Sequence, residues 1–217
     1  MILVDNTQNK FKSASEALNY GGEQATGEYI IFSHQDIDLL SKKFLEDLEL
    51  ILDKITNLGI AGVAGKSELT RFILSNLKQG RPPKYAGKIQ IKESTEVQTV
   101  DECFFVIPKT VFEIVKFDEK VCDGWHLYAV DYCLIVKEMK FLVCVVPISL
   151  YHRSVAGSFS KDYYSTVKKI IKKHKENFDP IYTTMGNWNS YYPLSLQIIY
   201  QIIILYYTKF RQKTGRK

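Results

Sequence analysis

The sequence predicts an α/β sandwich around a mostly parallel central sheet, and three observations carry that expectation. Strand and helix patterns alternate through the first half of the chain in the order β, α, β, α. The run Tyr29-Ile30-Ile31-Phe32 is short, β-branched and aromatic, as expected for a strand covered on both faces of a parallel sheet. A chain of 217 residues with 46% hydrophobic and 24% charged content can build one good core but not two comfortable domains.

Each element has its own signal. "MILV" (1–4) reads as a strand, and "SASEALNYGGEQA" (13–25) as a helix in its first part, interrupted by Gly21-Gly22. "EYIIF" is the next strand. "SKKFLEDLELILDKI" (41–55) places Phe44, Leu45, Leu48, Ile51, Leu52 and Ile55 at helical spacing, with Ser41 as N-cap. "GIAGVAG" (59–65) reads as a strand of small residues, "GRPPKYAGK" (80–88) as an irregular loop, and "VQTVDECFFVIP" (97–108) as a strand closed by Pro108. A short helix "KTVFEIVK", a loop "FDEKVCDGWH", a helix "LYAVDYCLIVKEM" and a strand "FLVCVVP" (141–147) follow. "AGVAGKS" imitates a phosphate-binding loop, but that motif needs a glycine where Ile60 stands, so its glycines are read as close strand packing.

Charge and cysteine usage narrow the partners. The net charge of +5 is concentrated late, in "KKIIKKHK" (168–175) and "KFRQKTGRK" (209–217), so an anionic partner is expected at the C-terminal region. No nucleic-acid recognition module accompanies these local lysines, and nucleic acid is not expected. Cys103, Cys122, Cys133 and Cys144 form no CxxC pair and lie in apolar segments, as reduced core cysteines of a cytosolic protein do. "MILVDNTQ" has neither a basic start nor a long apolar stretch, so no secretory leader is read there.

The first candidate site lies where the apolar run stops, in "SHQD". His34 and Asp36 fall just past the carboxyl end of their strand, where ligands of such sheets gather, and in an extended segment their spacing points both side chains the same way. An aspartate there also serves as a turn former or N-cap.

Four separated segments, "ILVDN", "SASEALNYGGEQATGEYIIFSHQDI", "VDECFFVIPKTVFEIVKFDEKVCDGWHLYAVDYCL" and "VVPISLYHRSVAGS", resemble glycosyltransferase family 2 in order and spacing. The likeness is to its short branch related to a streptomycin-biosynthesis protein, with HQD in place of DxD, and it spans residues 2–158. It implies a Rossmann-like nucleotide-diphospho-sugar transferase fold of the GT-A type, shortened at its N-terminal edge because relatives open with one more strand and helix. It also implies an inverting transfer from a nucleotide-sugar, a UDP- or dTDP-sugar, to a glycan, lipid-linked or small-molecule acceptor.

Site roles follow from that resemblance. Asp5 and Asn6 match the acidic end of a strand that contacts the donor's uridine, although an Asp-Asn pair also simply forms a turn. Asn19 matches a pattern that leads through Gly27 into the metal strand, while Ser13 and Glu16 on the same helix read as a solvated face. His34 and Asp36 take the places of the DxD acids, and His152 in "LYHRS" resembles the late histidine that completes the metal site or, alternatively, is structural. One imidazole in the set favours Mn2+ over Mg2+, and a metal-independent reaction with His34 acting as a hydrogen-bonding group is the alternative. The general base normally comes from an acidic pair whose place is occupied here by Tyr128 and Ala129. Asp131 is the expected substitute, or else a buried anchor, with His126 and Asp101 as the other candidates. Trp125 either stacks on an acceptor sugar or belongs to the core.

Residues 159–217 lie beyond the likeness and are expected to form a helical basic and apolar extension to a 1–158 domain. "YSTVKKIIKKHKENF" (164–178) is a basic amphipathic helix, and the apolar part of "PLSLQIIYQIIILYYTKF" (193–210) is too short to cross a bilayer. It is expected to lie on an anionic membrane surface at the inner face of a cytoplasmic location, or to pack on the domain or a second copy. Two readings of the whole remain open: a sugar transferase, or a non-catalytic relative that binds or assembles.

Overall fold

The computed structural model describes residues 1–154 and 161–214. The elements in chain order are α1 (Ala14–Glu23), β1 (Tyr29–Ser33), β2 (Ile37–Leu39), α2 (Phe44–Leu52), β3 (Leu58–Gly62), β4 (Ala64–Lys66), β5 (Ile73–Ser75), β6 (Lys78–Gln79), β7 (Lys84–Tyr85), β8 (Thr95–Glu96), β9 (Thr99–Val100), β10 (Phe104–Pro108), α3 (Lys109–Ile114), α4 (Tyr128–Glu138), β11 (Leu142–Val145), β12 (Leu150–His152), α5 (Lys161–His174), β13 (Ile181–Thr183), β14 (Gly186–Trp188) and α6 (Leu194–Thr214).

The central sheet has the order β1-β10-β3-β11-β8. Side chains of β10 alternate between two cores. Phe105 and Ile107 join α1, α3, α4 and α5 on one face, with Phe112, Tyr132 and Leu134, while Phe104 and Val106 join Phe44, Leu48 and Leu52 of α2 on the other. This three-layer arrangement is the predicted sandwich.

Predominantly parallel pairing is corrected. Only β3 and β11 pair in parallel within the central sheet, whereas β1–β10, β10–β3 and β11–β8 are antiparallel. The cause is topological. β1, β3 and β11 share one direction, and α2 lies between β1 and β3 in the chain, as a helical crossover requires. β10 is reached through short strands and loops, so it is free to enter the gap between β1 and β3 in reverse.

Three local expectations also change. Residues 1–4 form no strand: β1 is the outermost strand of the sheet, and Met1, Ile2 and Leu3 stay exposed rather than pairing with it. Gly21-Gly22 do not break α1, because the ring of Phe112 packs where a side chain at Gly22 would stand. Ser13 is a buried N-cap whose oxygen accepts from the Glu16 amide at 3.2 Å, not part of a solvated face. In the "GIAGVAG" segment, a Cβ at Gly59 would lie 2.7 Å from Phe141 and 3.0 Å from Val136, so the close strand packing predicted there is present.

The C-terminal extension carries a feature the sequence reading did not include. Between α5 and α6 runs the hairpin β13–β14, tied to the main body by Tyr182, whose amide donates to Gln98 at 2.6 Å. Tyr163, Val167 and Ile170 of α5 and Trp188 of β14 belong to the same core as α4. The expected boundary at residue 158 lies outside the described residues.

Candidate metal centre

Backbone pairing brings two distant segments together at the end of β1. The His34 amide donates to the Cys103 carbonyl at 2.9 Å, which holds the chain as it leaves the sheet. A turn at Gln35 and Asp36 then leads into β2, which pairs antiparallel with β12 so that Ile37 stands opposite His152. The Arg153 amide donates to the Asp36 carbonyl at 3.0 Å and extends this register. One ligand atom each of His34, Asp36 and His152 lies within 4.8 Å of the others. The predicted pair is thus joined by the predicted late histidine, although a turn rather than an extended segment creates the convergence.

Neighbouring groups orient the cluster. His152 Nε2 is 3.1 Å from Asp36 Oδ1 and 3.0 Å from the Ser154 hydroxyl, while His34 Nε2 is 3.3 Å from the Tyr128 hydroxyl. The two imidazole rings lie 5.5 Å apart. Burial, with His152 adding to it, lowers the pKa of His34, which favours the neutral imidazole a metal requires. Burial raises Asp36, but the Ser154 hydrogen bond and the nearby His152 outweigh it and hold the carboxyl below its ordinary value. Arg153 grips Asp38 through two hydrogen bonds of 2.8 and 2.5 Å, securing β2 against the segment after β12.

Next to this cluster lies a second acidic feature. Asp101 is half-buried, accepts from the Cys103 amide at 3.1 Å and the Thr184 hydroxyl at 2.7 Å, and is close enough for its charge to act on His34. Glu102 faces the amides of Leu127, Tyr128 and Ala129 at the start of α4, and its Oε1 is sealed from solvent without a partner among the described residues. The sequence offered no pattern to single out Glu102 or Ser154. Tyr128 could be noticed there only as a departure from an acidic pair.

Across residues 2–175 the chain matches a family described as glycosyltransferase-like. It belongs to that family. Among solved structures, the glycosyltransferase-like chain resembles the one described as GalNAc-T7 with UDP, GalNAc and Mn2+, at TM-score 0.53 and 9% identity. The match covers 74% of this chain and 34% of that one, so the chain spans about a third of its neighbour's length. At such identity the likeness shows the fold, the GT-A nucleotide-sugar transferase fold the resemblance implied. No curated protein matches the sequence.

The remaining predicted residues of this glycosyltransferase-like protein are not drawn into the His-Asp-His group. Asp5 is exposed and accepts from the Thr7 amide at 2.8 Å and hydroxyl at 3.1 Å, closing a turn. Asn6 clips both backbone groups of Phe11. Asn19 is buried and pins Phe117 through its amide and carbonyl, each at 3.0 Å. Trp125 is exposed, not core, and the half-buried His126 stacks edge-on with Tyr163 at 5.8 Å.

Of the two places expected for Asp131, base or buried anchor, the structure shows the buried one. Its carboxylate is 1% exposed, and it accepts from His174 at 2.8 Å and Lys173 at 2.9 Å. A base must reach an acceptor hydroxyl that arrives from solvent. Asp131 instead locks α4 to α5. It lies two residues beyond Ala129, about half a helical turn on, and on the side of α4 that faces α5.

Proposed function

We propose that this protein is an inverting, metal-assisted glycosyltransferase of family 2, in the branch related to a streptomycin-biosynthesis protein, that moves a sugar from a UDP- or dTDP-sugar to a hydroxyl of a glycan or lipid-linked acceptor. One observation carries the reading: His34, Asp36 and His152 converge to within 4.8 Å at the end of β1 in a chain of glycosyltransferase-like family and fold. Two imidazoles and one carboxylate fit Mn2+ better than Mg2+, which prefers an all-oxygen shell. A cation held by these three side chains supplies positive charge against the donor diphosphate. The solved neighbour that contains UDP and Mn2+ supports the same donor class.

The protein's own groups then divide the work. The acceptor oxygen attacks the anomeric carbon, the bond from that carbon to the diphosphate oxygen breaks, and the hydroxyl proton passes to a carboxylate. With Asp131 committed to the scaffold, we assign that base to Asp101, held in place by Thr184 and the Cys103 amide. Tyr128 orients the His34 ring.

The test is a melting series of the purified chain with UDP- and dTDP-sugars, with and without Mn2+, followed by measurement of nucleoside diphosphate release with candidate acceptors. A folded-state ligand must raise the melting temperature. A rise that needs both nucleotide and Mn2+, followed by turnover, supports the reading. A rise without turnover on any acceptor would favour the non-catalytic binding subunit, and no rise at all would sink the donor site.

A further inference from the structure

We propose that α6 is a docking element for an anionic lipid bilayer, lying in the plane of the surface with its apolar face in the headgroup boundary. This helix is separate from the metal centre and departs from the usual pattern. A helix on a globular domain turns its apolar stripe inward and its polar stripe to water. In α6 the side that meets the protein is partly polar. Gln197 faces the domain, its Oε1 accepting from the Asn189 amide at 3.0 Å and its Nε2 donating to the carbonyls of Asn189 at 2.9 Å and Tyr192 at 2.8 Å. One turn on, Gln201 packs against Gly186. Leu194 and Ile198 complete this inward side and pack against the core.

The opposite side is apolar and uncovered. Leu196, Ile199, Tyr200, Ile203 and Tyr206 recur at the spacing of one helical face, and each is at least half exposed, from 53% at Ile199 to 78% at Tyr206. Tyr191 and Tyr192, just before the helix, are exposed as well. A continuous outward stripe of this kind is not the scattered apolar exposure of an ordinary surface.

Length and charge select the occupant. The apolar stretch from Leu194 to Tyr207 extends roughly 20 Å at helical rise, short of the ~30 Å hydrocarbon layer. No helix among the described residues is long and apolar enough to cross a membrane. The sequence from residue 194 to the end contains five cations, Lys209, Arg211, Lys213, Arg216 and Lys217, and no acid. A second copy laid on this face would bring the same positive charge, whereas anionic headgroups supply the complement. Tyrosines beside the stripe suit the boundary, where an aromatic ring is buried and its hydroxyl stays wet.

The experiment is flotation of the full chain with phosphatidylcholine vesicles, with and without phosphatidylglycerol, alongside light scattering without lipid. Expected is binding that requires phosphatidylglycerol and weakens with salt. Ile203→Glu and, separately, Tyr200→Ser should reduce the vesicle-bound partition, the glutamate by at least about tenfold, with an unchanged melting temperature. Two variants guard against one that misfolds. Equal binding to neutral vesicles, no vesicle binding, or a dimer that Ile203→Glu dissociates would each overturn the proposal, the last by assigning the face to a second copy.

Discussion

His152 Nε2 lies 3.1 Å from Asp36 Oδ1, although 116 residues separate them in the chain. The contact exists because β12 returns antiparallel along β2, so the candidate metal centre is built by strand register rather than by a local motif. Its parts are unequal. A carboxylate brings negative charge to a cation, whereas each imidazole brings only a lone pair.

Asp36 should therefore dominate metal binding. Asp36→Asn is expected to weaken Mn2+-dependent nucleotide binding by at least about 100-fold, and His34→Ala by less, given that even partners behind the ligands change affinity 10- to 100-fold. Calorimetric titration of Mn2+ and UDP into each variant measures the order. Intact binding in Asp36→Asn with loss in His34→Ala would reverse it.

The base assignment predicts a different signature. Asp101→Asn should lower turnover by roughly 10²- to 10⁴-fold with donor affinity little changed, because the proton moves only on the way through the transition state. Transfer kinetics and donor binding belong on the same preparation. Full activity in this variant would pass the role to His126.

Asp131 and His174 make a third prediction, about folding rather than catalysis. Both are about 1% exposed, and His174 also meets Glu138 at 2.9 Å through its other nitrogen. Removing one member of a buried pair leaves the other charge uncompensated and typically costs about 3–5 kcal/mol. His174→Ala should show that loss in denaturant unfolding. A change below about 1 kcal/mol would mean that Lys173, also bonded to Asp131, compensates alone.

How much of this was legible beforehand depended on sequence distance. His34 and Asp36 could be chosen because a buried strand visibly ends there, and His152 could be added through the family resemblance. Their meeting depends on the β2–β12 register, which no local pattern encodes. The direction of β10 was hidden for a similar reason: its run of apolar residues looks the same whichever way its neighbours run. The buried place of Asp131 was not legible because a two-residue displacement from Ala129, about half a helical turn, leaves the sequence neighbourhood familiar while moving the side chain to another face. Gln197 and Gln201 interrupt the apolar run of residues 193–210, but only the fold reveals that they face inward.

Glu102 supplies the pH dependence. Its carboxyl, buried at the start of α4 and next to Asp101, is pushed up to about 8 from an ordinary value of 4.5, with burial the main cause. A carboxyl raised on folding binds its proton more tightly in the native state. Its contribution to stability is therefore fully present below about 4.5 and is lost as the pH rises through about 8. The amides of Leu127, Tyr128 and Ala129 act in the opposite sense and favour the charged form, yet they do not cancel the burial. Glu102→Gln keeps the shape and cannot ionise. Relative to that variant, the wild type should lose on the order of a few kcal/mol between pH 5 and 9, since each pH unit between folded and unfolded titration is worth about 1.4 kcal/mol. Chemical unfolding of the pair across that range gives the difference directly, and the difference cancels every other titrating group common to both. A flat difference would mean that Glu102 titrates normally and that its sealed Oε1 reaches water in solution. A difference that grows toward high pH would place a proton-holding carboxyl one residue from Asp101, where it keeps a second negative charge away from the base at neutral pH.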